Sequence, residues 1–158
     1  MQKKIYIVIY CLLLVIPVGL YMIEGNKNIR KIYVHDYVYD DAKNIVYQID
    51  NICIEDGRFN ISGWFIYRYD SQSNNKFNKH IWLKADNGDF LCIKTDATEC
   101  SEVTNILNDG TDYLNSGFVS YANCDDLNKW GTHFEIYVCY ANRGVNYIVN
   151  TGHVLAIQ

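Results

Sequence analysis

The run Ile5–Ile23, IYIVIYCLLLVIPVGLYMI, holds about nineteen residues without a charge. At a rise of about 1.5 Å per residue, a helix of that length matches the roughly 30 Å hydrocarbon core of a bilayer. Lys3 and Lys4 supply the basic start of a secretory signal, but no pair of small residues sits two apart where Leu20–Gly25 leaves the run. Tyr10 before Cys11 does not suit lipid attachment. The expectation is an uncleaved signal anchor, residues 1–24, spanning a membrane once, with Pro17 tolerated as in other membrane helices. Lys3 and Lys4 precede the run, and Lys27, Arg30 and Lys31 follow it with Glu24. The balance of positive charge is close, and the short N-terminus is expected inside, with the rest of the chain outside the cytoplasm.

The remaining residues suffice for one domain with its own core. Residues 25–44 read as a spacer or edge strand, and residues 45–158 as the folded domain. The whole chain has 158 residues and a net charge of −4, which argues against a nucleic-acid partner, whose phosphates call for a basic face. From Ile45 onward the period is 2. Residues 45–55 and 58–69 flank Asp56-Gly57, and HIWLKAD and DFLCIKT flank Asn87-Gly88, two dipeptides suited to tight hairpins. HFEIYVCY and VNYIVNTGHVLAI alternate in the same way, on either side of a turn at residues 142–144. Only Ser101–Leu107 breaks the pattern, with Ser101 placed to cap a short helix that carries Val103, Ile106 and Leu107 on one face. Short strands without alternating long helices predict an all-β fold, an antiparallel β-sandwich of Ig-like or jelly-roll-like type behind one N-terminal transmembrane helix.

The order Ile61-Ser62-Gly63-Trp64, then a strand pair, then Ser116-Gly117-Phe118, then Gly131 and the alternating Phe134–Tyr140 covers roughly residues 48–157. It resembles the small β-sandwich modules with GW and SGF signatures in bacterial envelope proteins, which stand behind membrane anchors or are appended to surface-polysaccharide enzymes. Many such modules carry an Arg-x-Asp-Val stretch before the SGF; here that place reads Ser101-Glu102-Val103-Thr104. The resemblance implies a membrane-held envelope module.

Flat aromatic rings on a sheet surface can stack on sugars, and strand parity selects the candidates. Ile81, Leu83 and Ala85 form the inward set of their strand, which leaves Trp82 on the other face between His80 and Lys84. Tyr137 lies beside Glu135 on the corresponding face of its own strand, so adjacent strands would join the two rings. Trp82, Tyr137 and His80 are therefore the expected ligand-binding residues, with burial under the spacer or a partner subunit as the alternative use of the rings. Trp64 is expected in the core, helped there by a bulge at Gly63, and Trp130 at the sheet edge.

Outside the apolar run five cysteines remain, an odd set without C-x-x-C, and Cys100 with Cys124 is the candidate disulfide. The four histidines are dispersed; His133 and Glu135 share a strand face in the manner of ordinary surface. The acidic stretches at 86–89 and 108–112 read as turn chemistry rather than as calcium loops. No G-x-S-x-G, P-loop or H-E-x-x-H occurs, and no catalytic residue, metal ligand or cofactor is expected. The function expected is a non-catalytic, membrane-anchored module of the cell envelope that binds a glycan or envelope polymer. The alternative is a structural or assembly subunit that docks onto a membrane protein complex.

Overall fold

A computed structural model of the protein describes residues 28–33, 37–39, 44–68, 79–142 and 145–157. The expected anchor and the turn beyond Asn142 lie outside the described residues. Among those residues no helix is long and apolar enough to cross a membrane. The strands are β1 Ile29–Ile32, β2 Tyr37–Tyr39, β3 Ile45–Glu55, β4 Arg58–Tyr67, β5 Lys79–Ala85, β6 Phe90–Thr98, β7 Gly117–Asn123, β8 His133–Asn142 and β9 Val145–Ala156. Two short helices, α1 Glu102–Leu107 and α2 Cys124–Leu127, and a 3₁₀ turn at Leu114–Ser116 complete the set.

The hairpins form where the turn dipeptides place them. Asp56 and Gly57 adopt φ of 50° and 71°, the left-handed values that an Asp-Gly turn tolerates, and Glu55 pairs with Arg58 across it. The fold is all-β, and its pairing differs from an antiparallel sandwich in two ways. The strands run in the order β2-β9-β8-β5-β6-β7-β4-β3, with β1 also on β6, as one continuous sheet. That sheet is mixed, because β2 lies parallel to β9.

Strand β6 explains the continuity. Its first half pairs with β5 on one side and β1 on the other, both reaching Ile93, whereas its second half pairs with β7 from Lys94 to Thr98. One strand thus passes from one limb of the sheet to the other.

The sheet must also curl. Ile32 lies at the β6 edge and Tyr37 at the β9 edge, yet they are five residues apart and pack in one cluster. Five residues reach at most about 18 Å, whereas five strand spacings in a flat sheet cover about 24 Å. The path β1-β6-β5-β8-β9-β2 therefore bends around the face that carries Trp82, and Ile32 and Tyr37 pack over it.

Three apolar clusters result. The largest contains the expected inward set Ile81, Leu83 and Ala85 with Phe59, Phe65, Phe118 and Tyr140. Each fully buried Leu or Phe side chain contributes about 1.5–3 kcal/mol of transfer free energy. The β4 ring of Tyr67 stacks on Tyr140 of β8 at 5.2 Å and 16°, which ties the far limb across this core. A second cluster holds Trp82, Phe90 and Tyr137. The third joins Trp64 and Ile66 to Val103 and Tyr113.

Trp64 is buried as expected, but not through a phase shift of its own strand. Phe59, Ile61 and Phe65 keep strict alternation toward the main core, and Trp64 and Ile66 point the other way, under α1. The register shift lies on β3, between Ile49 and Asn51, opposite Gly63. A Cβ at Gly63 would sit 2.2 Å from the Gln48 carbonyl oxygen, and one at Gly117 would sit 2.4 Å from Thr98 Oγ1. Close backbone approach thus requires the glycines of both the GW and the SGF stretches. Helix α1 buries Val103 but leaves Ile106 exposed, and Ser101 at its N-cap makes no side-chain capping bond.

Candidate functional site

Strands β5 and β8 are neighbours, and Trp82 stands directly opposite Tyr137. The rings meet as parity expected, but they do not form an exposed platform: Trp82 is 2% and Tyr137 3% exposed. Tyr37 from the spacer lies edge-on to Trp82 at 6.2 Å and beside Phe90 at 5.4 Å, and Phe90 in turn lies 6.0 Å from Trp82 and 5.3 Å from Tyr137. The curl places a cover over this face that alternation along one strand does not reveal. The indole N–H of Trp82 is buried without an oxygen or nitrogen acceptor and faces the Cys92 sulfur. His80 is half-buried opposite Cys139, and burial together with the nearby Arg30 cation lowers its pKa.

The Cys100–Cys124 bridge is not present. Both are free thiols: Cys100 packs beside the Trp64 cluster and Cys124 within the main core. Cys92 and Cys139 are also free thiols, both pushed up in pKa by burial.

The polar end of Tyr137 leads out of the aromatic cluster to a cleft. Its hydroxyl donates to Glu135 Oε2 at 2.7 Å, and Asn150 Nδ2 donates to both, at 3.2 Å to the hydroxyl and 3.3 Å to the carboxylate. Lys84, directly opposite Glu135 on β5, places Nζ 3.5 Å from the same oxygen. The Tyr137 hydrogen bond first, then the Lys84 cation, hold the Glu135 carboxyl below its ordinary pKa. Burial and the Glu135 charge raise that of Tyr137.

A bulge in β9 aims Asn150. Glu135 pairs with Val154 and Tyr137 with Asn150, so three residues of β9 face one of β8. Gly152 takes φ 75°, and Thr151 Oγ1 donates to the Ile136 carbonyl at 2.8 Å. Gly152 N–H donates to Asn150 Oδ1 at 2.8 Å, which fixes the amide with its Nδ2 toward Glu135.

The cleft itself measures about 530 Å³ and lies between the β5–β6 turn and the start of β8. Lys84, Asp86, Asn87, His133, Glu135 and Val154 line it. His133 Nδ1 is 3.7 Å from Asp86 Oδ2. Tyr39, 57% exposed, stands beside the network with its ring 6.3 Å from that of Tyr137. Fixed donors and acceptors next to an exposed flat ring can match the hydroxyls and the apolar face of a polar ligand. Alternation placed His133 and Glu135 on one face and Lys84 on the Trp82 face, but the pairing of Lys84 with Glu135 required the register and the aim of Asn150 the bulge.

Among the described residues no group of three His, Cys, Asp or Glu side chains is placed to hold a metal ion. The acidic stretches are occupied locally: Asp89 N–H bonds to Asn87 Oδ1, while Asp109 accepts from Thr111 N–H and the Tyr113 hydroxyl. No protein-family model, curated protein or solved structure matches this chain.

Proposed function

We propose that the protein is a non-catalytic binding module of a cell envelope, held at the membrane by the Ile5–Ile23 segment with its β domain outside the cytoplasm. Its ligand is a neutral or weakly charged glycan or envelope polymer. The observation that carries this reading is the Lys84–Glu135–Asn150–Tyr137 network, oriented by the β9 bulge, whose Lys84 and Glu135 line an open cleft and whose Tyr137 lies beside the exposed Tyr39 ring. The contact residues are then Lys84, Glu135 and Tyr39, whereas Trp82 and Tyr137 support the site from beneath. The apolar run and the resemblance to GW and SGF envelope modules support the location.

Retention of the full chain on insoluble envelope polysaccharide tests it. Glu135→Gln with Lys84→Ala should weaken retention about tenfold or more, as expected when a buried or bridging polar contact is left unmatched. Trp82→Phe should leave retention unchanged. If the paired substitution leaves retention intact, the cleft is not the binding surface.

A second reading, an assembly subunit docking onto a membrane protein complex, draws on β3. This eleven-residue strand ends the sheet order, with β4 as its neighbour and Ile54 exposed near its end. Such an edge can accept a strand from a partner.

A further inference from the structure

We propose that the corner made by α2, the turn after it and the start of β1 rests on the lipid headgroup layer, with Trp130 as the side chain that enters the interface. This rests on the anchor reading above. Four residues, 24–27, separate the end of the apolar run from Asn28. Even fully extended, the chain then holds Asn28 within about 18 Å of the hydrocarbon boundary.

At that exit point a cleft of about 260 Å³ is lined by Asn28, Ile29, Asp126, Lys129 and Trp130. Trp130 packs against the main core and is half-buried. The Lys31 ammonium lies 5.7 Å from its ring centroid, and Tyr33 beside it is 80% exposed. Trp, Tyr and Lys each join an apolar body to a polar or charged tip, which is the chemistry of a membrane–water interface. Lys129 pairs with Asp126 at 2.6 Å and Lys31 with Asp89 at 2.7 Å, so the corner carries little net charge. A near-neutral surface with cations able to turn toward phosphate suits a mixed zwitterionic and anionic headgroup layer.

The chain contains three tryptophans, Trp64, Trp82 and Trp130, none within the apolar run, and the first two are buried. Quenching of tryptophan emission by a lipid-borne quencher therefore reports this corner when the full chain is reconstituted in phosphatidylcholine–phosphatidylglycerol vesicles. Replacing the phosphatidylcholine by its 6,7-dibrominated form should quench the emission, and Trp130→Phe should remove most of that quenching. Lys129→Glu, which leaves the ring in place, should reduce it. Quenching that is absent, or that Trp130→Phe leaves unchanged, in a chain that resists alkaline carbonate extraction overturns the docking and leaves the anchor standing. Release of the chain by carbonate overturns both.

Discussion

Trp82→Ala should lower the unfolding free energy by about 3–5 kcal/mol, the usual cost of truncating a fully buried large aromatic. The side chain lies on the face that alternation assigns away from the main core, where truncation would ordinarily be harmless. Here it contacts Tyr37, Phe90 and Tyr137 and is 2% exposed, so removing it opens a void beneath the spacer. The remaining rings also lose their edge-on partners, each worth about 0.5–1.5 kcal/mol beyond its area. Trp82→Phe keeps most of the volume and deletes an N–H that has no oxygen or nitrogen acceptor, so its cost should be far smaller. Urea unfolding checks both: the midpoint should fall steeply for alanine at unchanged slope, and only slightly for phenylalanine. An alanine variant as stable as the parent would mean that the spacer does not cover this face.

Lys79 sets the second large effect. It is 1% exposed, its ammonium donates to the Asn115 carbonyl at 2.5 Å, and it lies 5.7 Å from the Phe65 ring centroid. Burial lowers its pKa from 10.5 to about 8, against a smaller opposing contribution from Cys100. Between those values the unfolded chain binds a proton that the folded chain lacks, so this group makes stability rise with pH from about 8 to about 10.5. The full excursion is on the order of 3 kcal/mol. Half-buried Cys92 and buried Cys124 and Cys139, with pKa values raised above 9, and Tyr37, raised to about 12, act in the opposite direction as their unfolded counterparts ionise. The difference between the parent and Lys79→Met cancels those contributions. Measured by urea unfolding at pH 7, 8, 9 and 10, the parent should gain stability relative to the variant at each step above pH 8. A difference that does not change with pH would show that Lys79 remains charged in the folded state.

Local signals carried the strands, and long-range closure did not show in them. Asp56-Gly57 and Asn87-Gly88 located both hairpins, because the turn needs backbone values that few residues tolerate. Parity put Ile81, Leu83 and Ala85 in the core and Trp82 and Tyr137 on corresponding faces of their strands, and the β5–β8 register sets the two opposite each other. Parity describes one strand, however, and the fate of its second face depends on what the rest of the chain lays over it. Two short segments, Ile29–Ile32 and Tyr37–Tyr39, provide that cover, and a three-residue parallel pairing has no periodicity to read. Trp64 illustrates the same limit, since its face is covered by α1 from a distant part of the sequence. The cleft was legible only as His133 and Glu135 on one face and Lys84 on the Trp82 face of its own strand. Its aim depends on the Asn150–Gly152 bulge, where a single Gly at φ 75° turns an ordinary strand into a positioning device.

The most direct test of an envelope module held outside the cytoplasm is its topology. With a C-terminal epitope after Gln158, protease added to intact spheroplasts should remove the epitope before lysis. Protection until lysis would place the β domain in the cytoplasm and contradict an envelope polymer as its ligand.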